Sequence, residues 1–175
     1  MTINIIRHTP VALPLGICYG SSDVALADTW EADILKVTQS MKIAANAVVY
    51  SSPLVRCKLL AQALSNKVII DDRLKELNFG DLELQPWDNL RSPEAEAWMN
   101  DYLNLRCPGG ESYPELCERV NSFLTDLRST KHEESIIVTH AGIIRAMLVM
   151  LQHITPQESF STHVEYGEII RLEIN

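Results

Sequence analysis

Two apolar runs in this sequence are each followed at once by a histidine. Residues 4–6 lead into Arg7-His8, and residues 135–139 lead into His140. Short runs rich in Ile and Val predict buried β-strands, and the apolar segment 143–150 that follows the second histidine predicts a helix. The arrangement of strand, histidine and turn therefore occurs twice, which favours a fold that brings strand ends to a common edge.

The rest of the chain alternates in the same way between strand-like and helix-like segments. This alternation predicts an α/β fold, a three-layer sandwich whose mostly parallel central sheet carries helices on both faces. We predict a single domain over residues 1–175. Further strands are predicted at 47–50 and 68–70, helices from 29, over 93–103 and from 112 to about 128, and a closing pair of strands over 163–166 and 168–174.

The segment Ser51-Ser52-Pro53 predicts the start of another helix. Ser52 is the expected N-cap, and Pro53 suits the first helical position because its missing N–H is not needed there. Arg56 then lies in the first turn, where the helix dipole disfavours a cation. A nearby anion would explain this arginine.

Ligands of parallel sheets bind beyond the carboxyl ends of the strands. Arg7 and His8 end one predicted strand, Arg56 follows a second, and His140 ends a third. If these strands are neighbours, two histidines and two arginines converge. Guanidinium groups match phosphate oxygens and an imidazole can attack phosphorus, so the combination indicates a phosphate pocket. Taken singly, a histidine at a strand end is more often a structural residue.

The net charge and the cysteines exclude several other classes of function. A formal net charge of −8 argues against non-specific binding to nucleic acid or to an anionic membrane. The sequence has no apolar run of about 18 residues and no signal-peptide pattern, so we expect no membrane span and a cytoplasmic location. The four cysteines include no Cys-x-x-Cys pair, which predicts reduced, packed thiols and disfavours a zinc knuckle.

Taken together, these motifs resemble the histidine phosphatase superfamily, which has the phosphoglycerate mutase-like fold. The resemblance implies that His8 is the nucleophile, that Arg7, Arg56 and His140 bind the phosphate, and that Glu76 is the general acid and base. It implies no metal and no cofactor. The matching segments follow the family order: Arg7-His8, Ser51-Ser52-Pro53 with Arg56, Glu76 before Phe79-Gly80, and His140 before Ala141-Gly142.

The mechanism that the resemblance implies passes through a phosphohistidine. Neutral His8 attacks the phosphorus, while a charged His140 would stabilise the developing negative charge. Glu76 protonates the leaving alkoxide and later takes a proton from the attacking water. Only the resemblance selects Glu76 among neighbouring acids, and Glu83 is a second candidate.

Within the superfamily, the chain is most similar to the α-ribazole phosphatases of cobalamin biosynthesis. Thr9 and the segment 16–23, Gly-x-Cys-Tyr-Gly-x-x-Asp, carry this similarity, whereas segment 81–84 lacks the Trp and Gly common after Phe-Gly. The expected substrate is a small phosphomonoester, α-ribazole 5′-phosphate. A broad sugar-phosphate phosphatase, a phosphoglycerate mutase-like enzyme and a non-catalytic phosphate-binding module are the alternatives, and mutases generally carry longer insertions. A homodimer and a mobile lid over residues 10–28 are left open.

Overall fold

A single five-stranded sheet organises the computed structural model, which describes residues 1–44 and 46–174. Its strands are β1 (Thr2–Arg7), β2 (Val48–Ser51), β3 (Val68–Ile70), β4 (Glu134–Thr139) and β5 (Ile169–Glu173). They lie in the order β3-β2-β4-β1-β5, and every neighbouring pair is parallel except the antiparallel pair β1 and β5. The predicted mostly parallel sheet is confirmed.

Helices cover both faces of the sheet. They are α1 (Trp30–Ser40), α2 (Val55–Leu64), α3 (Pro93–Asn100), α4 (Tyr113–Ser129) and α5 (Ala141–Met150), and short 3-10 turns occupy Asp72–Leu74, Gly80–Leu82 and Trp87–Asn89. The helix predicted over 93–103 ends three residues early, and the predicted helix from 112 to about 128 matches α4.

The strands bury alternate residues on opposite faces, because successive side chains of a strand point in opposite directions. Ile136 and Val138 of β4 pack in the cluster that contains α1 and α2, whereas Ile137 packs in the cluster that contains α4 and α5. All three are fully buried, and burial of one such side chain contributes about 1.5–3 kcal/mol. The predicted three-layer sandwich is confirmed.

The strand register aligns the ends of the three strands that carry the candidate site. Arg7 is paired with Thr139 across β1 and β4, and Ser51 is paired with Val138 across β2 and β4. The residues that follow these strand ends therefore lie at one edge of the sheet. This is the strand order that the hypothesis of converging histidines and arginines required.

The structure corrects the predicted start of α2. This helix begins at Val55, so Ser52 is not its N-cap, and the backbone N–H of Val55 donates to the carboxylate of Asp23 at 2.8 Å. An acid from the long loop between β1 and α1 thus takes the place that a local serine was predicted to fill. Such a partner is distant in sequence and gives no local signal.

The predicted pair of closing strands is half correct. Residues 168–174 include β5, but residues 163–166 form no strand. This segment runs beside the end of β1, where the carbonyl of Val164 accepts a hydrogen bond from Arg7.

The four cysteines carry free thiols, as predicted, and three of them are buried. None of the helices in the described ranges combines the length and the apolar character that a membrane span requires.

Candidate active site

His8 follows β1, and its backbone N–H donates to the carbonyl of Thr139 at 3.0 Å. The ring is almost fully buried, and Nδ1 lies 2.7 Å from the carbonyl oxygen of Thr9. Since a carbonyl can only accept, Nδ1 carries the proton and the lone pair of the neutral ring is on Nε2. Burial lowers the pKa of His8 well below its ordinary value, and the charge of Arg56 lowers it further. The imidazole is therefore neutral near pH 7, with an unprotonated Nε2.

Arg7 presents a buried donor beside this histidine. Its Nη1 donates to the carbonyl of Val164 at 2.5 Å, and the guanidinium carbon lies 3.7 Å from the ring centroid of Tyr166, a cation–π contact. Its Nε is buried and has no hydrogen-bond partner among the described residues. An unsatisfied buried donor costs about 1–3 kcal/mol. An anion bound next to His8 would remove that penalty.

Arg56 is fully buried and ties the long loop to the sheet edge. Its Nη1 donates to the carbonyl of Ser22 at 2.7 Å and its Nη2 to the carbonyl of Gly20 at 2.6 Å. Its Nε donates to Nδ1 of His140 at 3.3 Å. This arginine therefore holds residues 20–22 in place, in addition to supplying positive charge at the strand ends.

His140 follows β4, and its ring centroid lies 5.1 Å from that of His8. Because Nδ1 accepts from Arg56, the proton is on Nε2, which donates to the hydroxyl of Ser52 at 2.8 Å. Burial lowers the pKa of His140 well below its ordinary value, with His8 and Arg56 acting in the same direction. The expectation of a charged His140 does not fit this geometry, in which a neutral ring positions Arg56.

Glu76 lies in the loop after β3 and is held by two backbone donors. Oε1 accepts from the N–H of Leu77 and Oε2 from the N–H of Gly142, each at 2.9 Å. Gly142 is in the first turn of α5, where backbone N–H groups lack helical partners. A Cβ at position 142 would overlap Oε1 of Glu76, so the glycine of the His-Ala-Gly motif makes room for the carboxylate.

A cavity of about 290 Å³ collects four of the five predicted site residues: Arg7, His8, Arg56 and Glu76. His140, the fifth, is fully buried and lies next to His8 rather than on the cavity wall. Within the described part of the chain, no cluster of three or more His, Cys, Asp or Glu side chains could hold a metal ion. The remaining wall is mostly apolar and aromatic: Val11, Leu13, Pro14, Leu15, Gly16, Ile17, Tyr19, Phe79, Trp87, Ala141, Arg145, His163 and Tyr166.

Four polar residues of this wall were missed in the sequence: Tyr19, Arg145, His163 and Tyr166. The hydroxyls of Tyr19 and Tyr166 are 2.6 Å apart, and both rings flank His8, with centroids 6.4 and 5.5 Å from its own. Tyr166 lies in the segment that was predicted to be a strand, which concealed it. Arg145 gave a usable signal, since it is the only charged residue within α5.

Glu83, the second candidate acid, does not line this cavity and has a structural role. Its two carboxylate oxygens accept hydrogen bonds from Ser21, Ser22 and the backbone N–H of Phe79. Burial raises the pKa of Glu83, but these hydrogen bonds outweigh burial and leave the pKa below its ordinary value. The carboxylate joins the loop at 20–22 to the loop that carries Phe79.

Replacing Glu83 with Gln is expected to destabilise the protein by about 1–3 kcal/mol at pH 7, because an amide cannot accept all of these hydrogen bonds. Because the pKa of Glu83 is lowered in the folded protein, its carboxylate stabilises the fold fully at pH values above the unfolded-state pKa, about 4.3 for Glu. This stabilisation is lost as the pH falls through the folded-state pKa. The difference from wild type should therefore shrink in acid. Urea unfolding at pH 7 and at pH 3 measures it, with the exposed Glu118→Gln as control. An equal difference at both pH values would contradict this role.

Comparison with known families agrees with the geometry of the site. Residues 3–175 match the family model described as histidine phosphatase superfamily (branch 1). This chain belongs to the histidine phosphatase superfamily. The cavity that holds His8 is thus the candidate active site of a member of this superfamily.

Individual relatives of this chain differ in what their names say they act on. The chain is 33% identical over 138 residues to a protein named probable phosphoglycerate mutase GpmB of Escherichia coli O1:K1 / APEC, covering 74% of this chain and 64% of the relative. It is 26% identical over 134 residues to a protein of Hydrogenobacter thermophilus provisionally named phosphoserine phosphatase 2, covering 73% and 66%. The alignments thus span just under two thirds of these relatives' own length.

Solved structures show the shared fold. The α-ribazole phosphatase of Shigella flexneri superposes with a TM-score of 0.90 at 22% identity, and the alignment covers 100% of this chain and 91% of that chain. At this identity, the likeness establishes the architecture of the sheet and helices, and the substrate has to be argued from the site.

Proposed function

We propose that this histidine phosphatase is a phosphomonoesterase that works through a phosphohistidine formed on His8. One observation carries the proposal. A buried, neutral imidazole, whose Nδ1 is bonded to the Thr9 carbonyl, lies at a cavity that also contains Arg7, Arg56 and Glu76. These groups supply a nucleophile, cations for the phosphoryl oxygens and a carboxyl group for proton transfer.

In the first step, Nε2 of His8 attacks the phosphorus in line with the ester oxygen. A nitrogen–phosphorus bond forms as the ester bond breaks, and the unsatisfied Nε of Arg7 binds a phosphoryl oxygen. Glu76, in its acid form, gives its proton to the departing alkoxide. The products of this step are the free alcohol and phosphohistidine.

In the second step, the Glu76 carboxylate takes a proton from a water molecule whose oxygen attacks the phosphorus. The nitrogen–phosphorus bond breaks, its electron pair returns to Nε2 of His8, and inorganic phosphate leaves. The sum is one ester and one water converted to one alcohol and one phosphate. Neutral His140 contributes by fixing Arg56 through the 3.3 Å hydrogen bond.

The substrate that we propose is α-ribazole 5′-phosphate. Thr9 and segment 16–23 resemble the α-ribazole phosphatases, and Tyr19 of that segment lies at the cavity beside His8. Phe79 and Trp87 add aromatic walls, with ring centroids 5.4 Å apart. Aromatic and aliphatic walls suit the flat base of a nucleoside-like leaving group better than a small acid such as 3-phosphoglycerate.

A substrate panel tests this proposal. We expect kcat/KM for α-ribazole 5′-phosphate to exceed that for 3-phosphoglycerate, phosphoserine and sugar phosphates by at least about tenfold, the discrimination typical of added apolar contacts. Release of inorganic phosphate measures hydrolysis, and conversion of 3-phosphoglycerate to its 2-isomer measures mutase activity. A flat profile would leave a general phosphatase, and isomer formation without phosphate release would favour a mutase.

A further inference from the structure

Three guanidinium groups line the cavity. Arg7 and Arg56 lie beside the two histidines at the strand ends, and a third guanidinium, that of Arg145, also lines the wall. Among the described residues that line this cavity, Glu76 is the only acid. In a chain with a formal net charge of −8, this local excess of positive charge indicates that the cavity binds further oxygen atoms of a ligand.

Arg145 lines the cavity together with Glu76, the proposed proton donor to the leaving group. It is three residues after Gly142 in α5, so the two share a helix face. The N–H of Gly142 holds the carboxylate of Glu76, which is the proposed proton donor to the leaving alkoxide. A narrow second cavity is also lined by both Glu76 and Arg145. The guanidinium is thus a neighbour of the carboxyl group that faces the departing oxygen.

The guanidinium of Arg145 is anchored at one end only. Its Nε donates to the carbonyl of Thr162 at 2.8 Å, while within residues 1–44 and 46–174 neither terminal nitrogen has a hydrogen-bond partner and no acid forms an ion pair with it. Burial lowers the pKa of Arg145, the charge of Glu76 opposes this, and the group stays a cation near pH 7. A partly buried, unpaired cation is unfavourable by itself.

We propose that Arg145 is a specificity-determining residue that binds two adjacent oxygen atoms of the leaving group, close to the phosphoester. The planar fork of a guanidinium matches such a pair of acceptors. A vicinal diol of a ribose ring and a carboxylate both present this pair, and the substrates below distinguish them. The assignment of the leaving-group side rests on the proposed function, through Glu76.

The test compares Arg145→Met, which removes the fork, with Arg145→Lys, which keeps the charge. Arg91→Met, at an exposed position, is the matched control. Adenosine and 2′-deoxyadenosine 5′-monophosphate differ in the diol, 3-phosphoglycerate and its methyl ester differ in the carboxylate, and p-nitrophenyl phosphate has neither group. The decisive pair is the one that the wild-type chain hydrolyses with the higher kcat/KM. For the member of that pair that carries both oxygens, Arg145→Met should lower kcat/KM by about 10- to 100-fold, as expected for lost charge-assisted hydrogen bonds.

The other substrates define the outcomes. The member without the paired oxygens, and p-nitrophenyl phosphate, should change less than about threefold, and Arg145→Lys should recover only part of the loss. Equal losses on all substrates would mean that Arg145 serves the phosphoryl group or the fold, and no loss on any of them would mean that it binds no substrate. Either result would overturn the proposal.

Equilibrium binding separates this inference from the proposed function. Titration calorimetry of the same ligands against His8→Asn, with and without Arg145→Met, measures the contribution of Arg145 without hydrolysis. If the wild-type chain hydrolysed none of the esters, the phosphatase proposal would be wrong, while the binding comparison would still decide the role of Arg145. When Arg145 is replaced, the ligand that carries the paired oxygens should no longer bind more tightly than the ligand that lacks them. The affinity ratio within each ligand pair should therefore fall toward one.

Discussion

Replacing His8 with Ala is expected to lower kcat by roughly 10⁴- to 10⁶-fold, as the loss of the nucleophile does in other covalent enzymes. The ring is buried, neutral and oriented through Nδ1. His163, another imidazole on the cavity wall, is exposed, and its Nε2 lies 2.8 Å from the carboxylate of Glu165. His140 cannot substitute, since both of its ring nitrogens are engaged with Arg56 and Ser52.

The measurement is acid-labile labelling of the protein by a ³²P-phosphomonoester, together with steady-state hydrolysis. Wild type should carry the label and His8→Ala should not. His153→Ala, at an exposed histidine, is the matched control and should behave as wild type. Full activity in His8→Ala, or an unchanged label, would refute the mechanism.

Replacing Glu76 with Gln is expected to lower kcat by roughly 10²- to 10⁴-fold on alkyl phosphates, the usual contribution of a positioned proton donor. An amide can neither protonate the alkoxide nor take a proton from water. With p-nitrophenyl phosphate, whose leaving group needs no proton, phosphohistidine formation should stay fast and its hydrolysis should become slow.

Rapid-mixing kinetics detects this change directly. Glu76→Gln should release a burst of about one p-nitrophenolate per protein and then turn over slowly, as expected when a covalent intermediate accumulates. Glu118→Gln, exposed on α4, should show wild-type rates. A single slow phase without a burst would mean that Glu76 acts before the phosphoryl transfer, for example in binding.

The fold could be predicted from the sequence because its signals are local. Apolar runs marked the strands, and the capping box at Ser112 and Glu115 marked the start of α4. The strand order that brings the polar strand ends together was only a condition of the site hypothesis, and the structure supplies it. Hydrogen bonds between distant segments could not be predicted. The hydrogen bond from Val55 to Asp23 spans 32 positions, and the one between Tyr19 and Tyr166 spans 147. The hydrogen bonds that Glu83 accepts from Ser21 and Ser22 span 62 and 61 positions.

The site was predicted unevenly for a related reason. Arg7, His8 and Arg56 could be placed because each lies at a strand end or in the first turn of a helix, whereas Glu76 depended on the family resemblance alone. The charge of His140 was predicted wrongly because it depends on the direction of the Arg56 hydrogen bond, which the sequence does not encode locally. The single domain, the cytoplasmic location and the homodimer stay predictions.

Arg56 has a consequence for how relatives of this protein should be interpreted. Its three hydrogen bonds hold Gly20, Ser22 and His140, so the long loop is held by the same side chain that we propose binds the phosphoryl group. A descendant that lost catalysis would still be under selection to keep this arginine for its architecture. The His8 ring, by contrast, bonds only to the carbonyl of the adjacent Thr9 among the described residues, so on the proposed mechanism the presence of His8, rather than that of Arg56, distinguishes an active member of the superfamily from an inactive one.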